Sequence, residues 1–250
     1  MKWVPLLRAA LILVLVGLLE VLCRTGGIDN FTMQAPSKIL VDLGQMLSSG
    51  RLNASIVKTM SNASIAFVLA VSVGIVVAVL IHSKPILREA LDPLFATYYA
   101  IPVLAFYPMF IIIFGLGNVP KILIAFMLGV VAVIVNTLNG LDRVPRVLSK
   151  SARIARLTPT QTALKITLPF AAPFILTGVK FAIAYTLIGI IGSEFIMSTD
   201  GMGYEIAFAY NNFDNATMYP LILLVVLVSI SANMLLGMWE RKILSRRGLL

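Results

Sequence analysis

Two stretches of the chain place recognisable side chains at regular spacing. The first runs Lys150-Ser151-Ala152-Arg153-Ile154-Ala155-Arg156-Leu157-Thr158-Pro159-Thr160-Gln161. Lys150, Arg153 and Arg156 recur every third residue, which lines a basic stripe along one face of a short helix. Ala152 and Ala155 form a small-residue strip beside it. Thr158 to Gln161 has the spacing of a capping box: Thr158 caps, Pro159 takes the first helical position and Gln161 reaches back. Cations and small side chains on a compact helix-turn-helix suit surface recognition, either of anionic headgroups or of a protein partner. The second stretch carries Pro102 and Pro108, with Tyr98, Tyr99 and Phe106 around them. Each proline removes a backbone donor, so a helix here bends or breaks. Such a break lines a wet path or is a kink covered by neighbours.

No constellation for bond-making chemistry accompanies these stretches. His82 is the only histidine and Cys23 the only cysteine, which excludes an internal disulfide, a thiolate cluster and a multi-histidine metal site. Neither a His-Glu-x-x-His motif nor a Gly-x-x-x-x-Gly-Lys-Ser/Thr phosphate loop occurs. The chain is therefore read as a non-enzyme with no metal and no cofactor of its own. Lys180 lies about two turns into one apolar segment, and Glu194 closes its far end. Lys180 either snorkels or contacts a path, and Glu194 is either interfacial or a polar contact along a path. Tyr185, between them, joins Tyr98, Tyr99 and Phe106 as an aromatic that suits either packing or an aromatic solute.

The elements that position these residues follow from composition. Hydrophobic residues make up 59% of the 250 positions and charged residues only 12%, about half the charged share of a soluble domain, ~25%. Six apolar segments stand out, at 6–23, 60–82, 92–114, 119–138, 173–193 and 218–239. Each is near the length that crosses about 30 Å of hydrocarbon. Lipid forces them to be helices, because a lone strand would leave its backbone groups unpaired. The first, behind Lys2 and Arg8, has the look of a signal peptide. No small-x-small cleavage site follows it, so it is read as a retained signal anchor. Asn118 is expected to cap the fourth segment, with Pro120 in its first turn.

Charge orients the bundle. With the N-terminus inside, fourteen cations fall inside: Lys2, Arg8, Lys84, Arg88, Arg143, Arg146, Lys150, Arg153, Arg156, Lys165, Arg241, Lys242, Arg246 and Arg247. Five fall outside: Arg24, Lys38, Arg51, Lys58 and Lys121. This asymmetry predicts both termini in the cytoplasm, and it accounts for the net charge of +9 without a nucleic-acid partner. Residues 140–172 then form the longest inner loop. A helix, a tight turn and a second helix are expected there, with Leu168-Pro169 ending the second.

At this point the chain resembles a known family. The loop is similar to the signature loop of bacterial ATP-binding-cassette importer permeases, roughly Glu-Ala-Ala, three residues, Gly, nine or more residues, Ile-x-Leu-Pro. Ala152, Ile166, Leu168 and Pro169 match it, whereas Lys150, Ser151 and Arg156 replace its glutamate, first alanine and glycine. The run from Ile101 to Pro108, Phe114-Gly115-Leu116-Gly117, Asn136-Thr137-x-x-Gly140 and Gly201-Met202-Gly203-Tyr204 look like permeases for nitrate, sulfonate and taurine. The resemblance spans about 55–247. It implies an all-α type I importer permease of six transmembrane helices, one domain over 1–250, in the bacterial inner membrane. It implies a second permease subunit (a homodimer), a cytoplasmic ATPase dimer that uses the ATP, and a periplasmic or lipid-anchored solute-binding protein. It places ATPase coupling on Lys150, Ser151, Ala152, Ala155, Arg156, Leu157, Thr158, Pro159, Gln161, Leu168 and Pro169. The candidate translocation path is Tyr98, Tyr99, Pro102, Phe106, Pro108, Tyr185 and Glu194, for a small, often anionic solute. A secondary-active transporter is the rival reading; such folds usually show paired broken helices in matching halves, and only one segment here is strongly broken.

Overall fold

The computed structural model describes residues 3–29 and 31–246, and no strand occurs among them. Lys2 and Arg247, counted among the inner cations, lie outside the described residues. The helices are α1 (Trp3–Arg24), α2 (Pro36–Ser48), α3 (Asn53–His82), α4 (Pro85–Tyr98), α5 (Tyr107–Phe114), α6 (Asn118–Asp142), α7 (Arg146–Ile154), α8 (Pro159–Thr162), α9 (Leu168–Met197), α10 (Met202–Asn211) and α11 (Asn215–Arg246). Among the described residues, five helical stretches are long and apolar enough to cross a membrane: α1, α3, α6, α8 continued through α9, and α11. The pair α4 and Val103–Phe114 is bent by 90° and adds a sixth span if counted as one.

Contacts at the helix ends show that this bent pair crosses the bundle. Asn62, near the start of α3, meets Asn118 at the start of α6. His82 at the end of α3 meets Asp142 at the end of α6, 3.1 Å apart. So α3 and α6 run parallel, and the chain between them must return from one end to the other. Arg88 of α4 also reaches Asp142, at 3.2 Å. The end holding α7 is called the loop end, and the opposite one, holding Glu194, the glutamate end.

Lipid gives helices no hydrophobic drive to associate, so they hold by close backbone approach. α6 packs most extensively on α9, then on α3. Glycines permit it. A Cβ on Gly189 would lie 2.6 Å from Ala125 Cα, and one on Gly129 would lie 2.9 Å from the Thr186 side chain. Gly178 faces Ala132 and Val133, and Gly140 faces Ala171 and Phe174. These pairings keep one antiparallel register along the whole of α6 and α9. On the other side, a Cβ on Gly74 of α3 would lie 2.7 Å from Val133. At the glutamate end, α2, α10 and α11 close a smaller core around Leu43, Met202 and Leu224. α1 touches α2 and leaves most of its apolar side chains exposed.

Two local expectations are corrected. Asn118 does not cap α6. Gly117, at φ 156°, holds the cap position without a side-chain bond, and Asn118 faces Asn62 instead. Leu168-Pro169 does not end the second loop helix. Leu168 is helical, and α8 continues into α9 through a π turn at Ala163–Thr167. In a regular helix the Pro169 ring would collide with the carbonyl four residues back, and the wider turn makes room for it. Lys180, left open by the sequence, pairs with Glu240 of α11.

Gly189→Leu forces α6 and α9 apart and should cost more than the ~1–3 kcal/mol of ordinary overpacking. It should abolish the monodisperse fraction in detergent. Gly17→Leu on α1, with nothing within 4 Å, should leave that fraction unchanged.

Candidate functional site

The loop between α6 and α9 is built by two local stops. α7 ends in a left-handed turn. Leu157 N–H donates to Ala152 O, Arg156 N–H donates to Arg153 O, both at 3.0 Å, and Arg156 has φ +52°. This is a Schellman ending, whose left-handed position favours glycine. Arg156 stands where the resembled pattern has its glycine, and it adopts the conformation that a glycine there would take. The capping box then starts α8. Gln161 N–H donates to Thr158 Oγ1 at 3.2 Å, and Thr158 N–H donates to Gln161 Oε1 at 3.0 Å. Pro159 sits in the first turn as expected.

The two alanines of the expected strip part company. Ala152 is 2% exposed inside the loop, where α7 packs on the π turn, whereas Ala155 is exposed. Lys150, Ser151, Arg156, Thr158, Pro159 and Gln161 are exposed, and Leu157, Leu168 and Pro169 half-buried. Sequence reasoning missed the apolar side chains beside them: Ile154 is 84% exposed, Val147 70% and Leu164 63%. Val147, Lys150, Ser151 and Ile154 share one face of α7, opposite Ala152.

The broken span brings most of the candidate path residues together. Pro102 precedes the turn Val103–Phe106, and Pro108 lies in the first turn of α5; both are exposed, as is Phe106. Tyr99 packs on Tyr185 with centroids 5.8 Å apart, and Phe181 extends this ladder at 6.3 Å from Tyr185. Tyr98 meets Tyr99 edge-on, while its hydroxyl donates to Met127 O of α6 at 2.9 Å. Tyr107, which sequence reasoning passed over, is 1% exposed and donates to Met197 O at 2.9 Å. It fastens α5 to the end of α9.

Glu194 lies apart from that ladder. It is 0% exposed. Thr59 Oγ1 donates to Glu194 Oε2 at 2.8 Å, and Gly203 N–H donates to the same oxygen at 3.1 Å. Met202 N–H in turn donates to Thr59 Oγ1 at 2.8 Å. A carboxylate thus holds the first amides of α10, the favourable place for negative charge on a helix. A Cβ on Gly201, at φ +102°, would fall inside this carboxylate. Beside it, Asp200 takes Lys121, which is 2% exposed, and Lys58 at 3.3 Å. Partial burial pushes the Asp200 carboxyl up, but hydrogen bonds and charge from Lys121 and then Lys58 outweigh it and hold the group below its ordinary 3.8. Gly201-Met202-Gly203 was the signal in the sequence that could have located this cluster.

Two measurements follow. Replacing Arg156 by glycine removes the strain of a left-handed non-glycine residue, about 1 kcal/mol. Hydrogen exchange of the α7 amides should slow about fivefold in Arg156→Gly and quicken in Arg156→Val. Asp200 is depressed on folding, so its stabilisation is complete above the ordinary value of 3.8 and is lost as pH falls below that. Asp200→Asn should flatten the acid limb of the thermal midpoint plotted against pH.

The chain is similar to known transport proteins. The nitrate import permease NrtB of Leptolyngbya laminosa is 29% identical over 182 residues, 73% of this chain and 65% of that protein. The aliphatic sulfonates transport permease SsuC of Bacillus subtilis is 26% identical over 234 residues, 94% of this chain and 85% of that protein. The riboflavin transport system permease RibX of Chloroflexus aurantiacus is 27% identical over 215 residues, 86% and 80%. A solved structure of the MetNI methionine ABC transporter, described as inward facing, shares the fold with a TM-score of 0.66. It covers 76% of this chain and 94% of that one at 18% identity. A family model matches residues 70–245, from the middle of α3 to the last turn of α11. The chain belongs to the family described as the binding-protein-dependent transport system inner membrane component, the permease subunits of ATP-binding-cassette importers.

Proposed function

We propose that this chain pairs with a second copy of itself to form the path of a bacterial importer for small oxyanions, of the nitrate or sulfonate kind. It sits in the bacterial inner membrane with both termini and the α7–α8 loop in the cytoplasm. Charge supports that orientation: Lys84, Arg88, Arg143, Arg146, Lys150 and Arg153 crowd the loop end, whereas at the glutamate end Lys38, Arg51, Lys58 and Lys121 are matched by Asp42, Asp200, Glu205 and Asp214. An ATPase dimer binds the loop and consumes the ATP, while the chain itself takes no cofactor and catalyses no reaction. A periplasmic or lipid-anchored binding protein delivers solute at the glutamate end. Lipid covers the exposed apolar faces, and nucleic acid plays no part. The path follows the broken span, past Tyr98, Tyr99, Tyr185, Phe106, Pro102 and Pro108, with Glu194 as a fixed post near its outer end.

The face of α7 that carries Val147, Lys150, Ser151 and Ile154 carries this reading. Exposed Val147 and Ile154 border the basic stripe of Arg146, Lys150 and Arg153, which suits a protein cleft with an apolar centre and polar rim. Coupling then falls to this face together with Ala155, Arg156, Leu157, Thr158, Pro159 and Gln161. Ala152, Leu168 and Pro169 act by holding the loop's shape. The ladder of Tyr99, Tyr185 and Phe181 favours a second reading, a flat aromatic solute, and a riboflavin transport permease is among the relatives.

Ile154→Asp tests the docking. Ile154 is 84% exposed, so the fold is retained. Recovery of the partner ATPase in pull-down should fall about thirtyfold, the loss typical of a central anchor. Unchanged recovery with unchanged solute-stimulated ATP hydrolysis would contradict docking at this face.

A further inference from the structure

A groove of mixed polar and apolar lining at the glutamate end belongs neither to the loop nor to the broken span. It lies between the first turns of α3 and α6, with a volume of about 530 Å³, within the ~300–1,000 Å³ of small-molecule sites. Lys58, Ser61, Asn62 and Asn53 line it from α3, Asn118 faces them from α6, and Ile65 bounds it inward. Among the described residues no carboxylate lines it, and Asp200 meets it only by pairing with Lys58.

Its charge is arranged unusually. Lys121 and Lys58 share one carboxylate, that of Asp200. Lys121 is 2% exposed, and a cation so buried must keep its partner. The side chain of Lys58 is 39% exposed. Lys58 can therefore leave Asp200 for another anion while Asp200 stays neutralised by Lys121. Glu194 does not compete, since its carboxylate is buried against Thr59 and Gly203. Asn62 donates to Asn118 Oδ1 at 3.4 Å. Ser61 Oγ and Asn118 Nδ2 have no hydrogen-bond partner among the described residues, and both residues line the groove.

We infer that this groove is an entry site for a small oxyanion: Lys58 supplies the charge, and Ser61 and Asn118 donate hydrogen bonds to the oxygens. The inference rests on the reading of an anionic solute given above and names the residues that first receive it.

The test uses the permease reconstituted in vesicles with its ATPase and binding protein, and nitrate and methanesulfonate as labelled probes. Ser61 is exposed, so charge can be placed there without disturbing packing. Ser61→Asp should lower uptake at sub-saturating probe about tenfold, and Ser61→Lys should raise it, as charge steering requires. Lys58→Met should match Ser61→Asp, and Lys58→Arg should restore uptake, with complex recovery measured for each. Anion import by the wild type that does not follow the sign of the charge overturns the site and leaves the anion reading standing. A wild type that imports riboflavin but neither anion overturns the anion reading and the site with it.

Discussion

The structure depends on the close approach of α6 to α9. Membrane helices gain little from hydrophobic burial against each other, because lipid is as apolar as leucine. What holds them is dispersion at short range, and that needs small residues where backbones meet. Gly129 and Gly140 on α6, and Gly178 and Gly189 on α9, supply it at both ends of the contact. Their pairing sets one register along both helices, which then behave as a single stiff unit. The α7–α8 loop joins the same two helices at one end, and the Glu194 network joins α9 to α3 and α10 at the other. In the proposed mechanism, a push on the loop moves this unit as a rigid body against the broken span.

Polar contacts then fix what shape packing leaves open. Lys121 and Glu194 are both almost fully buried at the glutamate end. Burying either alone would be costly, but each has found a partner: Asp200 for Lys121, and Thr59 with the α10 amides for Glu194. Gly201 and Gly203 leave the space in which the carboxylate sits. These contacts determine where α10 folds back, so they shape the mouth from which the Lys58 groove opens. At the loop end the ties are exposed. His82, Arg88 and Asp142 join α3, α4 and α6 through partly solvated pairs, which contribute little each. The bundle is thus clamped more firmly at the glutamate end than at the end from which it would be driven.

Much of this was legible in the sequence, for physical reasons that differ by element. Long apolar runs must be helices in lipid, so the spans were plain. A capping box is local, and Thr158 with Gln161 formed it as their spacing required. Pro102 and Pro108 announced a break but not its 90° angle, nor that Tyr107 beyond it reaches Met197 in a distant part of the chain. The left-handed turn at Arg156 was hidden because arginine gives no hint of it. The helix through Pro169 was hidden because a π turn accommodates a ring that normally stops a helix. Glu194 read as interfacial or as a path contact, and Lys121 only as an outer cation, since their burial comes from glycines and a carboxylate brought in by folding.

The central claim is that solute movement through this bundle is driven by ATP hydrolysed in a partner bound at the α7–α8 loop. The direct measurement is solute accumulation in vesicles that hold the permease with its ATPase and binding protein, with ATP inside or outside the lumen and with a protonophore added. Accumulation should require ATP on the face that carries the loop and should persist when the proton gradient is collapsed. Accumulation that continues without ATP and vanishes with the protonophore would contradict the account and make the chain a secondary transporter.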